Sequence, residues 1–172
     1  MKVYKFGGTS VGSPERMKEV SRLITEDGES KIVVLSAMSG TTNSLVEIAD
    51  YLRKGNPEGA SNMVNRLHNI YKQHLPLLYT NEETTNRVRE RLDNIFLQLH
   101  EFRTREFSEA DEKAILAQGE IMSTNMVTEY LKECGVKAIL LPALDYMRLD
   151  PNGEPDLPYI RERLSYLLEK NP

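Results

Sequence analysis

Cysteine is almost missing from this chain, with Cys134 the single one in 172 residues. An internal disulfide is therefore excluded, and the composition suits a reducing, cytoplasmic setting. Histidine is scarce as well: three residues, scattered, make no metal-ligand spacing with one cysteine, so no protein-held metal is expected. There is no excess of positive charge. Lys and Arg number 22 against 26 Asp and Glu, a net charge of −4, which leaves no electrostatic footprint for nucleic acid. No apolar run approaches the roughly 20 residues that cross a bilayer, and MKVYKFGG leads into structure without a signal-peptide core, so neither a membrane partner nor export is expected. Internal repeats, low-complexity segments and linkers rich in Gly, Pro or Ser are also lacking, and nothing marks a second domain. Neither G-x-x-x-x-G-K-[ST] nor G-x-G-x-x-G occurs, which removes a Walker A loop and a dinucleotide fingerprint.

What is present is an ordinary globular composition, 40% hydrophobic and 28% charged, arranged with a changing period. Val3 to Phe6 reads as a strand, and Ser13 with Pro14 caps a helix carrying Met17, Val20, Leu23 and Ile24 to about Thr25. KIVVLSA, 31–37, is the continuous apolar run of a strand buried on both faces, followed by a polar turn and a helix with Leu45, Ile48 and Leu52 ending near Gly55. Strand–loop–helix repeated in this way predicts parallel strands joined by crossover helices. Residues 58–105 break the rhythm. Met63, Leu67, Ile70, Tyr71 and His74 make one helical stripe and Val88, Leu92, Ile95, Phe96 and Leu99 another, separated by Pro76 and YTNEETT. The pattern predicts an inserted helical hairpin whose stripes pack into the core. Ser108 and Asp111 then form a capping box opening a helix over 109–133, stopped by Gly135. VKAILLPAL is expected as a third strand, DPNGEPD as a turn and 157–170 as a final amphipathic helix.

Three segments carry candidate chemistry. VYKFGGTSVGSPERM, 3–17, sets Lys5 at a strand end before Gly7, Gly8, Thr9 and Ser10. Bare backbone N–H groups beside a helix start and a cation can hold phosphate, and Lys5 could meet charge on a transferring phosphoryl group. A plain strand-to-helix turn with a solvated lysine explains the same residues. LSAMSGTTN, 35–43, repeats the arrangement with Ser36, Ser39, Thr41, Thr42 and Asn43, suited either to a small polar substrate or to helix capping. In an open parallel sheet both loops lie off the strand carboxyl ends, where ligands bind. LAQGEIMST, 116–124, puts Gly119 inside a strong helix at a cost of about 1 kcal/mol against alanine, so something must approach it closely. Glu120 beside it could pair with a substrate amine, or be a solvated helical glutamate.

KFGGTSVG, VVLSAMSGTTNSL and LAQGEIMST, in this order and spacing, resemble the aspartate kinases of the amino-acid kinase family, and LDYMRLDPNGEPD resembles the family's stretch after the third strand. The resemblance implies a three-layer α/β/α fold with a mainly parallel sheet, here truncated and carrying the inserted hairpin. Residues 1–172 would be the N-terminal portion of the catalytic domain, with the C-terminal half and the ACT regulatory domains absent. It further implies ATP-dependent phosphorylation of the L-aspartate β-carboxylate, the first step toward lysine, threonine and methionine, with Mg²⁺ held through the nucleotide phosphates. Lys5 would be catalytic, Lys5, Phe6, Gly7, Gly8, Thr9 and Ser10 would hold the nucleotide phosphate, and Ser36, Ala37, Thr42 and Glu120 would bind aspartate. The parent is expected to be a homo-oligomer, and this chain an inactive fragment prone to self-association. The rival readings are another small-acid kinase of the same fold, such as an acetylglutamate or glutamate kinase, and a non-catalytic phosphate-binding or regulatory piece.

Overall fold

Among the described residues up to Lys137, two short strands alternate with two helices and three more helices follow: β1 (Lys2–Phe6), α1 (Pro14–Thr25), β2 (Lys31–Leu35), α2 (Thr41–Arg53), α3 (Pro57–Leu78), α4 (Glu82–Glu101) and α5 (Glu109–Glu133). The structure, a computed structural model, describes residues 2–171, and the chain divides into two units, Met1–Lys137 and Ala138–Pro172. Helix starts follow local chemistry. Ser13, Asn56, Asn81 and Ser108 each accept the backbone N–H three residues on, and Pro14 and Pro57 follow two of these caps. At Ser108 the box is complete, because the Asp111 side chain accepts from the Ser108 backbone in return.

β1 and β2 pair in parallel, in register from Lys2 with Lys31 to Phe6 with Leu35. Alternation sorts the strands into faces. Tyr4, Phe6 and Val33 pack against the helical core and Leu35 is buried within it, while Val3, Lys5 and Val34 are exposed. The fold is therefore α/β, helix-rich, with a small parallel sheet. β2 is buried on one face rather than the two expected of a central strand.

The core runs between α2, α3, α4 and α5. α3 contributes Ala60, Val64, Leu67, Tyr71, Leu75 and Leu78, and α4 contributes Val88, Leu92, Phe96 and Leu99. The α4 stripe is as expected, but that of α3 is rotated. Met63 and His74 are only partly buried and Ile70 is exposed, while Val64 and Leu75 take the interior positions. Pro76 does not end α3. It sits in the last turn, where few downstream residues depend on the lost hydrogen bond, and the chain leaves the helix at Tyr79. α5 buries one broad face, through Ile115, Gly119, Met122, Ser123, Met126 and Glu129.

The third expected strand is absent. Residues 136–142 form no ladder among the described residues, because an apolar run becomes a strand only where a neighbouring edge offers paired N–H and C=O groups. In the second unit the turn cluster closes an isolated bridge between Leu149 and Pro155, and α6 (Leu157–Lys170) opens on Asp156, whose side chain accepts from Tyr159 N–H at 3.1 Å.

Candidate functional site

The parallel register brings both strands to an end side by side, so the two polar loops leave the sheet together. The Ser36 N–H donates to the Phe6 carbonyl oxygen at 3.0 Å, extending the ladder one residue past β2. Lys5 lies on the exposed face, level with Val34, and no described residue forms an ion pair with it. Phe6 points the other way, its ring half-buried against the core, which leaves its backbone as the part nearest the loop. After it the chain turns at once: Ser10 N–H donates to the Gly7 carbonyl at 2.9 Å, with Thr9 exposed at the turn.

The two glycines of that turn differ. A Cβ on Gly8 would lie 3.0 Å from the Ala37 carbonyl oxygen, so this glycine lets the two loops touch. A Cβ on Gly7 would meet nothing within 4 Å. Its backbone faces open space that a ligand group can enter.

The second loop is fixed from α5. The Ala37 N–H donates to Glu120 Oε1 at 3.2 Å, and Ser123 Oγ donates to the Ser36 carbonyl oxygen at 2.8 Å. Gly119 explains itself here. A Cβ at this position would lie 2.7 Å from the Ala37 Cβ and 3.3 Å from Leu45 Cδ1, so the close neighbour anticipated for the mid-helix glycine is the loop after β2. Thr42 is exposed in the first turn of α2. Its neighbour Thr41 is buried, with Oγ1 2.9 Å from the Tyr71 hydroxyl of α3. Burial pushes the Tyr71 phenol far above its ordinary range, the bond to Thr41 offsets part of this, and the Glu120 charge adds to it. Tyr71 therefore stays neutral and serves as a hydrogen-bond post under the start of α2.

The fold thus unites Phe6, Gly8, Ser36, Ala37 and Glu120 in one contiguous contact set. Lys5, Thr9 and Thr42 extend from the same strand-end loops as exposed tips, and no hydrogen bond or ion pair joins Lys5 to Thr42 or Glu120. Ser123 and Tyr71 were not singled out for the site from sequence. The sequence pattern marks Tyr71 only as a core position, and its hydroxyl partner lies 30 residues away in the chain.

Comparison with known proteins identifies the family and the fold. The amino acid kinase family profile matches residues 1–172. Lysine-sensitive aspartokinase 3 of Escherichia coli (strain K12) is 31% identical over 163 residues, covering 93% of this chain and 35% of its own length. Aspartokinase 2, chloroplastic, of Arabidopsis thaliana is 34% identical over 140 residues, covering 79% and 25%. The crystal structure of E. coli aspartokinase III in complex with aspartate and ADP (R-state) superposes with a TM-score of 0.78 at 31% identity, over 98% of this chain and 37% of that one. The chain spans about a third or less of the length of these relatives. On the match across all its residues, the chain belongs to the amino acid kinase family.

Proposed function

We propose that this chain supplies the N-terminal part of an aspartate kinase catalytic domain, with the β1 loop as the phosphate side of the site and the β2 loop with Glu120 as the amino-acid side. One observation carries the reading: α5 delivers a carboxylate to the backbone of the very loop that the parallel register sets beside Lys5 and Gly7. The similarity to aspartokinases, one of them solved with aspartate and ADP, supports the same assignment.

The residues present fit a phosphate group, since Gly7 leaves open space beside its backbone and no described carboxylate forms an ion pair with Lys5. Bound ATP would supply the transferring phosphoryl group, and among the described residues no three His, Cys, Asp or Glu side chains gather as metal ligands, so Mg²⁺ would be carried by the phosphates. Lys5 would neutralise charge gathering on the transferring group. Backbone N–H groups of residues 7–10 would orient it. Glu120 would take the α-ammonium of aspartate, while Ser36, the Ala37 backbone and Thr42 line its place. The accepting β-carboxylate is already anionic at neutral pH, so no general base is required.

The test is aspartate-dependent ATP turnover by the full-length protein that carries this sequence. Lys5→Ala is expected to lower kcat at least about a hundredfold, the scale of removing one charge-stabilising group. Its melting temperature should hardly move, because an exposed lysine at a strand end contributes little packing. Near-normal turnover by the variant defeats the assignment. For the 172-residue chain alone, weak phosphate binding without turnover is expected.

A further inference from the structure

One peptide plane in the loop after β2 is held at both edges. Its N–H, that of Ala37, donates to Glu120 Oε1, and its carbonyl oxygen, that of Ser36, accepts from Ser123 Oγ. Glu120 and Ser123 are three residues apart on α5 and so share a face. Ser123 is fully buried, where a hydroxyl needs a partner, and its own helix provides one: the Glu120 carbonyl oxygen is 3.2 Å away. Ser21 in α1 satisfies its buried hydroxyl in that local way, bonding the Met17 carbonyl, and Thr124 does the same with the Glu120 carbonyl. Ser123 reaches across the fold as well.

We propose that Ser123 is a positioning residue for the amino-acid side of the site, fixing the Ser36–Ala37 peptide plane and, through it, the Glu120 carboxylate and the loop that leads to Thr42. The inference rests on the reading of Glu120 and Thr42 as aspartate contacts. A peptide plane turns by opposed changes in the dihedrals on either side of it, with little displacement of the chain. A bond at the N–H alone opposes that rotation only as far as the mobile Glu120 carboxylate holds still; a second bond at the other edge, from a buried hydroxyl, opposes it independently. With the plane fixed, Glu120 Oε1 stays on Ala37 and Oε2 is the oxygen presented to an ammonium. Release of the Ser36 carbonyl lets the Ala37 N–H swing away and frees the carboxylate to rotate.

The experiment has two arms. Amide exchange at Ala37, followed by NMR in the 172-residue chain, is compared between wild type, Ser123→Ala and Ser21→Ala, the last removing a buried hydroxyl with a purely local partner. Ser123→Ala should speed exchange at Ala37 about tenfold, the scale of losing one buried hydrogen bond, and Ser21→Ala should leave it unchanged. Ser123→Cys, a weaker donor of similar size, should fall between and serves if the alanine variant does not fold. In the full-length protein Ser123→Ala should raise the KM for aspartate about fivefold or more and leave the KM for ATP within twofold. Unchanged exchange at Ala37 overturns the grip. Parallel rises in both KM values reduce Ser123 to a structural residue and overturn the positioning role. A wild-type protein that does not use aspartate breaks the functional reading instead, and the exchange arm still decides the grip by itself.

Discussion

The helical hairpin with α5 and the strand-end loops use polar groups in opposite ways. Where α4 meets α5, the Glu129 carboxylate is 3% exposed and faces Arg87, Arg91 and Lys132 at 2.9, 3.1 and 3.0 Å. Nearby, Glu133 Oε1 accepts from Thr80 N–H, Thr80 Oγ1 and Asn81 N–H, closing the turn between α3 and α4. Charged tips there are mostly consumed by one another and by the chain, although Glu133 Oε2 is buried without a hydrogen-bond partner among the described residues. At the strand ends, hydrogen bonds run to backbone amides and carbonyls, while Lys5, Thr9 and Thr42 keep their tips in solvent. The first region converts polarity into stability. The second fixes its backbone and leaves these side-chain tips unpaired among the described residues, the arrangement the proposed binding role requires.

Substitution can break this contrast. The largest effect is expected at Glu120: in the full-length protein, Glu120→Ala should raise the KM for aspartate about a hundredfold, as for loss of a charge-assisted contact, with the KM for ATP within a few-fold. A collapse of ATP use with an unaltered aspartate KM reverses the assignment of the two loops. Next comes Glu129→Ala, expected to cost about 2 kcal/mol and about 4–8 °C in melting temperature, since it leaves three cations without their shared partner. Burial works to raise the Glu129 carboxyl, but Lys132, Arg87 and Arg91 hold it below the usual range. A lowered folded-state value means its stabilisation is complete above the unfolded value of about 4.3 and is lost as pH falls through the folded one. Acid melts of wild type and Glu129→Gln should therefore begin to approach each other as pH falls below about 4.3 and meet only below the lowered folded value. If Glu129→Ala melts like wild type while Glu120→Ala melts early, the division of labour is wrong. The smallest effect is expected at Gly119→Ala. The added Cβ forces the Ala37 loop to shift, about 1–3 kcal/mol, against about 1 kcal/mol of helix propensity gained, for a net loss of roughly 1 kcal/mol. A stabilised variant would show that the loop yields freely.

Much of this architecture can be read along the chain because its signals are local. Ser13–Pro14, Ser108–Asp111 and Gly135 mark helix ends within a turn of where they fall, and α6 spans the expected residues. What is lost is what depends on distant partners. The α3 stripe was centred one position off, since Leu67 and Tyr71 fit both faces and only the packing of neighbouring helices chooses Val64 and Leu75 over Met63 and Ile70. Residues 136–142 have strand composition, but a ladder needs an adjacent edge that composition cannot display. Gly119 announces a close contact without naming Ala37, more than 80 residues earlier in the chain. The residues proposed for the amino-acid side stand out in the sequence as types at strand ends, whereas the bonds from Ser123 and Tyr71 that fix their loop do not.

The separation across the Ser36–Ala37 grip also has a temporal side. Its two bonds span 83 and 87 residues of chain. At a synthesis rate of about 5–20 residues per second, α5 emerges roughly 4–17 s after the loop it must hold. The strands, α1 and α2 are local enough to assemble in that interval, whereas the loop can acquire its final shape only when α5 docks. Within the first unit the site is thus expected to mature last, with its glycine-rich backbone open to chaperones and proteases until α5 docks.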